Sequence, residues 1–173
     1  MKKIKEYKSV MNDKVGIRIN GNESYKNIEK NELDEIIKEI KKINFNRYPD
    51  DESLNLRKAY AEVVGIGEEN VIAGNGSDEM ISLIINYQIT KKKVVLTINP
   101  DFSMYDFYTS LNEGVVKKYN TENDGSFSVD RFIEYGRKVN PNLIIFSNPN
   151  NPTGHVISND EIIFILEAFK DIL

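Results

Sequence analysis

Three short segments carry residue types that could bind a ligand, and each follows a predicted β-strand. The first, residues 73–79, reads Ala-Gly-Asn-Gly-Ser-Asp-Glu. Glycines let a backbone approach a ligand closely. The free N–H groups of Ser77 and Asp78 would lie at the start of a helix, whose dipole attracts an anion. The segment is therefore either a phosphate site or a plain capped turn. It has neither the lysine nor the glycine spacing of a Walker loop or a dinucleotide-binding fingerprint.

The other two segments offer an aromatic ring and a group of amides. Phe102, in residues 99–105, follows an apolar strand and could stack on a planar ligand or pack in the core. Residues 147–154 contain two prolines, one glycine and three asparagines, including Asn151. Because a generic turn needs only one asparagine and one glycine, this composition indicates an amide held toward a ligand oxygen, with a structural turn as the alternative.

The apolar periodicity shows which elements must position these segments. Four strands are predicted from residue 71 onward, at 71–74, 94–98, 115–119 and 143–147. Six helices are predicted. The first begins at Asn31, with Asp34 in capping-box spacing, and the third begins at an N-cap, Ser77. The last runs from the capping box of Ser158 and Glu161 to Phe169, and the other three cover residues 51–64, about 101–111 and 129–138. A short strand is also predicted near residues 15–19. Strands that alternate with helices indicate an α/β layer with a mainly parallel sheet, which binds ligands at the carboxyl ends of its strands.

Composition excludes several classes of chemistry. The 173 residues carry a net charge of −4, which disfavours nonspecific binding to nucleic acid or to an anionic membrane. With no cysteine and one histidine, His155, the chain lacks material for disulfides, thiolate metal sites, a Ser–His nucleophile or a His-rich metal site. The longest apolar run, residues 162–166, is far shorter than a membrane span. We expect a cytoplasmic protein, without a metal, whose chemistry comes from carboxylates, lysines, amides or a cofactor.

Five motifs resemble one enzyme family. Residues 150–154, Asn-Asn-Pro-Thr-Gly, resemble the Asn-Pro-Thr-Gly signature of fold-type I pyridoxal-phosphate aminotransferases. Residues 47–50 (Arg-Tyr-Pro-Asp), 74–79, 102–105 and 20–23 (Asn-x-Asn-Glu) are similar to the histidinol-phosphate aminotransferase subfamily. The motifs follow the family's order and cover essentially the whole chain.

The resemblance implies a fold and a domain division. We expect a three-layer αβα large domain of the pyridoxal-phosphate-dependent transferase type over residues 46–173, incomplete in this chain. Residues 1–45 would form an N-terminal arm and a helix of the small domain. The strand at 71–74 would lie apart from the other three, which leaves unpaired sheet edges.

The resemblance also implies one site for pyridoxal 5'-phosphate. Backbone amides of Ser77 and Asp78 would hold its phosphate, Phe102 would stack on its pyridine ring, and Asn151 would donate to its 3'-oxygen. In a homodimer, Tyr48 would reach the partner's cofactor phosphate. Asn22 would lie near the substrate.

The implied activity, in amino-acid and specifically histidine biosynthesis, moves an amino group between an amino acid or amino phosphate and a 2-oxo acid. The family's Schiff-base lysine, its pyridinium-binding aspartate and its substrate-binding arginine are expected beyond Leu173. We therefore expect no catalytic residue within this chain, which would be inactive alone and would be the N-terminal part of a protein about twice as long. Two alternatives stay open: a threonine-phosphate decarboxylase-like lyase, and a non-catalytic truncated fragment.

Overall fold

The computed structural model describes residues 23–173. The strand predicted near residues 15–19 and the predicted substrate residue Asn22 lie outside the described residues. Contacts divide the chain into two compact units, whose described parts are residues 23–73 and 74–173. The division predicted at residue 45 from the family resemblance stays a prediction. Among the described residues, no helix has both the length and the apolar character that crossing a membrane requires.

The smaller unit contains two helices, α1 (Lys30–Ile40) and α2 (Leu54–Val64), and a 3₁₀ turn at Glu68–Asn70. The capping box predicted at Asn31 is wrong, because α1 begins one residue earlier with Glu29 at its N-cap and no side-chain cap. Helix α2 begins three residues later than predicted, since the Asp50 carboxylate accepts from the Leu54 N–H (2.7 Å) and holds the preceding residues in a turn. Its predicted end at Gly65 is confirmed.

The larger unit is built on a three-stranded parallel sheet. The strands are β1 (Val94–Asn99), β2 (Val115–Asn120) and β3 (Leu143–Ile144), in the order β2-β1-β3. The helices are α3 (Gly76–Gln88), α4 (Met104–Leu111), α5 (Val129–Val139) and α6 (Asn159–Ala168). The capping box of Ser158 and Glu161 is present at the start of α6, as predicted.

Alternate residues of β1 enter two separate cores. Leu96 and Ile98 pack with α5 and α6, around the fully buried ring of Phe132. Val95 points the other way and packs with Ile85 of α3. Because side chains alternate across a strand, helices cover both faces of the sheet, and the predicted three-layer αβα arrangement is confirmed for this unit.

Three local predictions are wrong. Residues 71–74 form no strand, because none of the described strands lies beside them, and the Val71 N–H donates instead to Glu68 O in the 3₁₀ turn (3.2 Å). Ser77 is not an N-cap, since α3 begins at Gly76 and Ser77 lies in its first turn. The strand predicted at 143–147 ends early, because Ser147 donates its N–H to the Asp101 carboxylate instead of to a neighbouring strand.

The edge of β3 remote from β1 is partly occupied. Successive residues here alternate in the direction of their hydrogen bonds, and the N–H of Ile145, directly after β3, donates to Leu96 O on β1. Ile144 N–H points the other way and donates to Leu173 O (2.8 Å). The chain therefore returns beside β3 after α6.

Candidate functional site

The order of the strands predicts where a ligand-binding crevice would lie. Strand β1 is central, and the chain adds β2 on one side of it and β3 on the other. Open α/β sheets bind ligands where the strand order reverses, at the carboxyl ends of the two strands that flank the reversal. Those strands are β1 and β3, and the segments that follow them are the second and third segments singled out in the sequence.

The Asp101 carboxylate joins these two segments. Its Oδ1 accepts from Phe102 N–H (2.7 Å) and from the Ser147 hydroxyl (2.5 Å). Its Oδ2 accepts from Ser147 N–H (3.2 Å) and from the Thr97 hydroxyl (3.4 Å). Burial raises the pKa of Asp101 above its ordinary value, while the bonds from Ser147, Phe102 and Thr97 oppose that rise. One carboxylate thus holds the start of the loop after β3 against the loop after β1.

Asn150 makes a second junction between the same segments. It is 5% exposed, and its side-chain amide donates to Pro100 O (3.3 Å) and to Ser147 Oγ (3.4 Å). Its side-chain oxygen accepts from the N–H (3.2 Å) and the hydroxyl (2.6 Å) of Thr153. Because every polar atom of this side chain has a partner, Asn150 fixes the shape of the turn and is not free to bind a ligand.

Asn151 differs from its neighbour. Its backbone N–H donates to Ser147 Oγ (2.8 Å), and the residue itself is exposed. The structure therefore holds the backbone of Asn151 in place and leaves its surface open at the carboxyl end of β3. The role predicted for its side chain stays a prediction.

Phe102 is half-buried beside the same crevice. Its ring meets the ring of Tyr105 edge to face, with centroids 5.9 Å apart and planes at 87°. Tyr105 is buried, and this burial, together with the nearby charge of Asp101, raises the pKa of Tyr105 to about 12. Tyr105 therefore stays neutral at physiological pH. Its ring packs edge to face against the ring of Phe102.

The first segment lies at the start of α3. Gly76 has φ +84°, a conformation that favours glycine, and the backbone N–H of Asn75 donates to the Glu79 carboxylate. Ser77 and Asp78 are exposed in the first turn of this 13-residue helix. The first N–H groups of a helix have no partner within it, so these two amides can donate to an anion.

These residues match the chemistry of pyridoxal phosphate. The group has a phosphate, a planar ring and a ring oxygen, and the three segments contain backbone donors, a half-exposed aromatic ring and an exposed amide. In the part of the chain that the structure describes, no group of three or more histidine, aspartate or glutamate residues could hold a metal ion.

The structure brings together two of the three predicted segments. Asp101 and Asn150 connect the segment of Phe102 with that of Asn151, whereas the segment of Ser77 and Asp78 makes its hydrogen bonds with its own residues. Tyr48 belongs to the smaller unit and is fully exposed. The convergence of all these residues on one pocket stays a prediction.

Sequence reasoning missed Asp101, Ser147 and the structural role of Asn150. A usable signal was present, because the residues that follow two adjacent parallel strands leave the sheet at the same edge and can contact each other. Asp101 and Ser147 each follow such a strand within three residues of its last apolar side chain.

A search of known families and proteins gives a consistent result. The family model described as aminotransferase class I and II matches residues 14–172. A histidinol-phosphate aminotransferase from Clostridium novyi (strain NT) is 40% identical over 168 residues, which are 96% of this chain and 47% of that protein. The chain thus spans about half the length of this curated relative.

Two solved structures show the same fold. Histidinol-phosphate aminotransferase from Sinorhizobium meliloti, in complex with pyridoxal-5'-phosphate, superposes with a TM-score of 0.66 at 20% identity, over 70% of this chain and 33% of that one. L-threonine-O-3-phosphate decarboxylase from Porphyromonas gingivalis gives a TM-score of 0.63 at 21% identity, over 81% of this chain and 41% of that one. At these identities the likeness establishes the fold alone.

Proposed function

The chain belongs to the aminotransferase class I and II family, and on that basis we propose that it is part of a pyridoxal-phosphate-dependent histidinol-phosphate aminotransferase. The reaction would move an amino group between histidinol phosphate and a 2-oxo acid. The observation that carries the proposal is the crevice between β1 and β3, whose two loops are joined through Asp101 and present Phe102 and Asn151. The 40% identity to the Clostridium novyi enzyme supports the choice of substrate.

Each predicted cofactor-binding residue has a defined task in this proposal. Pyridoxal phosphate, when bound, supplies an electron sink for chemistry at the amino carbon of the substrate. The N–H groups of Ser77 and Asp78 bind the phosphate, and the ring of Phe102 stacks on the pyridine. The side-chain amide of Asn151 donates to the 3'-oxygen. These tasks orient the cofactor, and the residues that transfer protons are expected in the remaining length that relatives possess.

Two further parts of the proposal concern assembly and location. Tyr48 is fully exposed, and we propose that it contacts the cofactor phosphate of the partner subunit in a homodimer. Asn22 is proposed to lie near the substrate. Because both substrates are small water-soluble metabolites, we propose that the protein works in the cytoplasm.

The test is an assay of the full-length protein with added pyridoxal phosphate. We expect transfer of the amino group of histidinol phosphate to 2-oxoglutarate, detected as glutamate. Asn151→Ala should lower the rate, whereas Asn123→Ala, a matched change at an exposed asparagine of another loop, should not.

The same preparation tests the lyase alternative. Threonine phosphate is supplied as substrate, and release of carbon dioxide is measured. Carbon dioxide release without glutamate formation would contradict the proposed function and favour the decarboxylase.

A further inference from the structure

A partly buried junction of hydrogen bonds connects the loop after β1 with the loop after β3. We propose that Asp101 is a positioning residue, which acts through Ser147 to hold the segment of Asn151 in register with the segment of Phe102. The proposal rests on the proposed function only for the identity of the ligand that these two segments bind.

Ser147 Oγ is the branch point of the junction. A hydroxyl has one proton to donate and two lone pairs that accept. Its proton goes to Asp101 Oδ1 (2.5 Å), and its lone pairs accept from the Asn151 N–H (2.8 Å) and from the Asn150 side-chain amide (3.4 Å). Because the proton of Ser147 goes to Asp101, both lone pairs of the hydroxyl are left to accept, one from the Asn151 backbone N–H and one from the Asn150 side chain. The carboxylate thereby sets the position of Asn151 without touching it.

Only a carboxylate satisfies all the donors around this site. Each Asp101 oxygen receives one backbone N–H, from Phe102 at Oδ1 and from Ser147 at Oδ2. A hydroxyl can rotate, but a backbone N–H cannot. An asparagine of the same shape would therefore set its NH₂ group against one of these two N–H groups in either orientation, and would leave that N–H without an acceptor.

The experiment measures amide hydrogen exchange in the full-length protein. Ser147→Ala removes the hydroxyl, whereas Ser147→Thr keeps it. We expect Ser147→Ala and Asp101→Asn to raise the exchange rate of the Asn151 amide about 10-fold, the effect of losing one hydrogen bond. Ser147→Thr should stay near the wild-type rate.

The internal control is the amide of Phe132, which donates to Ser128 O (2.9 Å) in α5, within the core on one face of the sheet. Its exchange rate should not change. An equal rise at Asn151 and Phe132 would mean that the variants only lower global stability, and would overturn the proposal. Unchanged exchange at Asn151, or equal rates in the Thr and Ala variants, would also overturn it.

A second readout concerns the ligand. Pyridoxal 5'-phosphate is added to each variant, and its dissociation constant is measured from the amide shifts of residues 99–105 and 147–154. Asp101→Asn should weaken binding about 10-fold, with Ser147→Thr close to wild type. Faster exchange at Asn151 with unchanged affinity would overturn the positioning role. Failure of the wild-type protein to bind the compound would instead overturn the proposed function, while the exchange rates still decide whether Asp101 holds Asn151.

Discussion

The side-chain amide of Asn150 donates to the backbone carbonyl of Pro100 across 3.3 Å, and so ties the loop after β3 to the loop after β1. Asn150 is 5% exposed, but the next residue, Asn151, is exposed. Two adjacent asparagines of one motif therefore have different physical roles. Asn150 builds the turn, and Asn151 is left at its surface.

Replacing each asparagine by alanine should separate these roles. Asn150→Ala leaves Pro100 O and the donors of Thr153 without their partner, so the free energy of unfolding should fall by about 1–3 kcal/mol. Asn151→Ala removes an exposed side chain and should change the free energy of unfolding by less than about 0.5 kcal/mol. Denaturant unfolding of both variants measures the difference, and equal losses would contradict the assignment.

The sequence anticipated the layers of the larger unit because burial leaves a direct pattern. The strands predicted at 94–98 and 115–119 are β1 and β2, and the alternation of the mostly apolar β1 places Leu96 and Val95 on opposite faces. Such patterns depend only on neighbouring residues. They were sufficient to predict the parallel sheet and its alternating helices, whereas the three-layer arrangement was expected from the family resemblance.

The errors arose where a distant or competing partner decided the outcome. Residues 71–74 have strand-like composition, but a strand needs a neighbour and the described sheet supplies none. Ser147 directly follows an apolar run, but its N–H donates to the carboxylate of Asp101, 46 residues earlier, and not to a neighbouring strand. For the same reason the position of Asp101 after a strand did not identify its partner Ser147, whereas Phe102 and Asn151 were singled out by their residue type.

Gly136 should not tolerate a methyl group, although it lies within a helix. A Cβ built at Gly136 clashes with the ring of Phe169, and it lies 3.1 Å from Leu96 Cδ2. In an open helix, glycine to alanine stabilises by up to about 1 kcal/mol. Here we expect Gly136→Ala to destabilise by about 1–3 kcal/mol, because the core is already filled. Thermal unfolding checks the sign.

The double variant Gly136→Ala with Phe169→Leu provides the control for that prediction. The smaller leucine side chain makes room for the methyl group. The losses in free energy of unfolding of the two single variants should therefore sum to more than the loss of the double variant. Strict additivity would show that Phe169 is not what excludes the methyl group.

Helix α6 should depend on its N-cap residue, Ser158, more than α4 depends on its own N-cap residue, Ser103. Ser158 Oγ accepts from Glu161 N–H (3.3 Å), and the Glu161 carboxylate accepts from Ser158 N–H (2.8 Å). Ser103 occupies the same N-cap position of α4 but makes no such bond. We expect Ser158→Ala to lower the free energy of unfolding by about 1 kcal/mol, and Ser103→Ala to lower it clearly less. Similar losses in denaturant unfolding would contradict a role for the capping box.

The same box should be sensitive to acid. Bonds from the backbone and the hydroxyl of Ser158 lower the pKa of Glu161 below its ordinary value. A lowered folded-state pKa means that the ionised carboxylate stabilises the fold above its unfolded pKa, and that this contribution disappears as the pH falls through the folded value. The stability difference between wild type and Glu161→Gln, measured by unfolding at several pH values, should therefore shrink in acid. A difference that is constant across the acid range would contradict this.

Tyr105 should titrate late among the nine tyrosines of the chain. Its burial, and then the Asp101 charge, raise its pKa to about 12. Because the folded value lies above the unfolded value, the neutral phenol stabilises the fold below about pH 10, and this contribution is lost as the pH rises toward 12. Phenolate absorbance should show a late component that Tyr105→Phe removes and Tyr87→Phe, at an exposed site, retains. A wild-type curve without a late component would contradict the prediction.

Residues 1–173 alone should hold pyridoxal phosphate reversibly and should not transfer amino groups. The proposed phosphate donors, Ser77 and Asp78, and the proposed stacking ring of Phe102 belong to residues 1–173. None of the three segments 73–79, 99–105 and 147–154 contains a lysine. An aldehyde held by phosphate contacts and stacking alone leaves readily, because no covalent bond retains it.

Reduction with borohydride tests this directly, since it fixes the cofactor wherever a lysine has bound it covalently. We expect peptide mapping to find stoichiometric label at one lysine in the full-length protein, and unlabelled or randomly labelled lysines in residues 1–173. Adding more cofactor to the shorter chain should not produce turnover, because positioning without the covalent lysine leaves the barrier to proton removal high. Stoichiometric labelling of a single lysine within residues 1–173, together with amino-group transfer to a 2-oxo acid, would show that these residues contain a complete catalytic site.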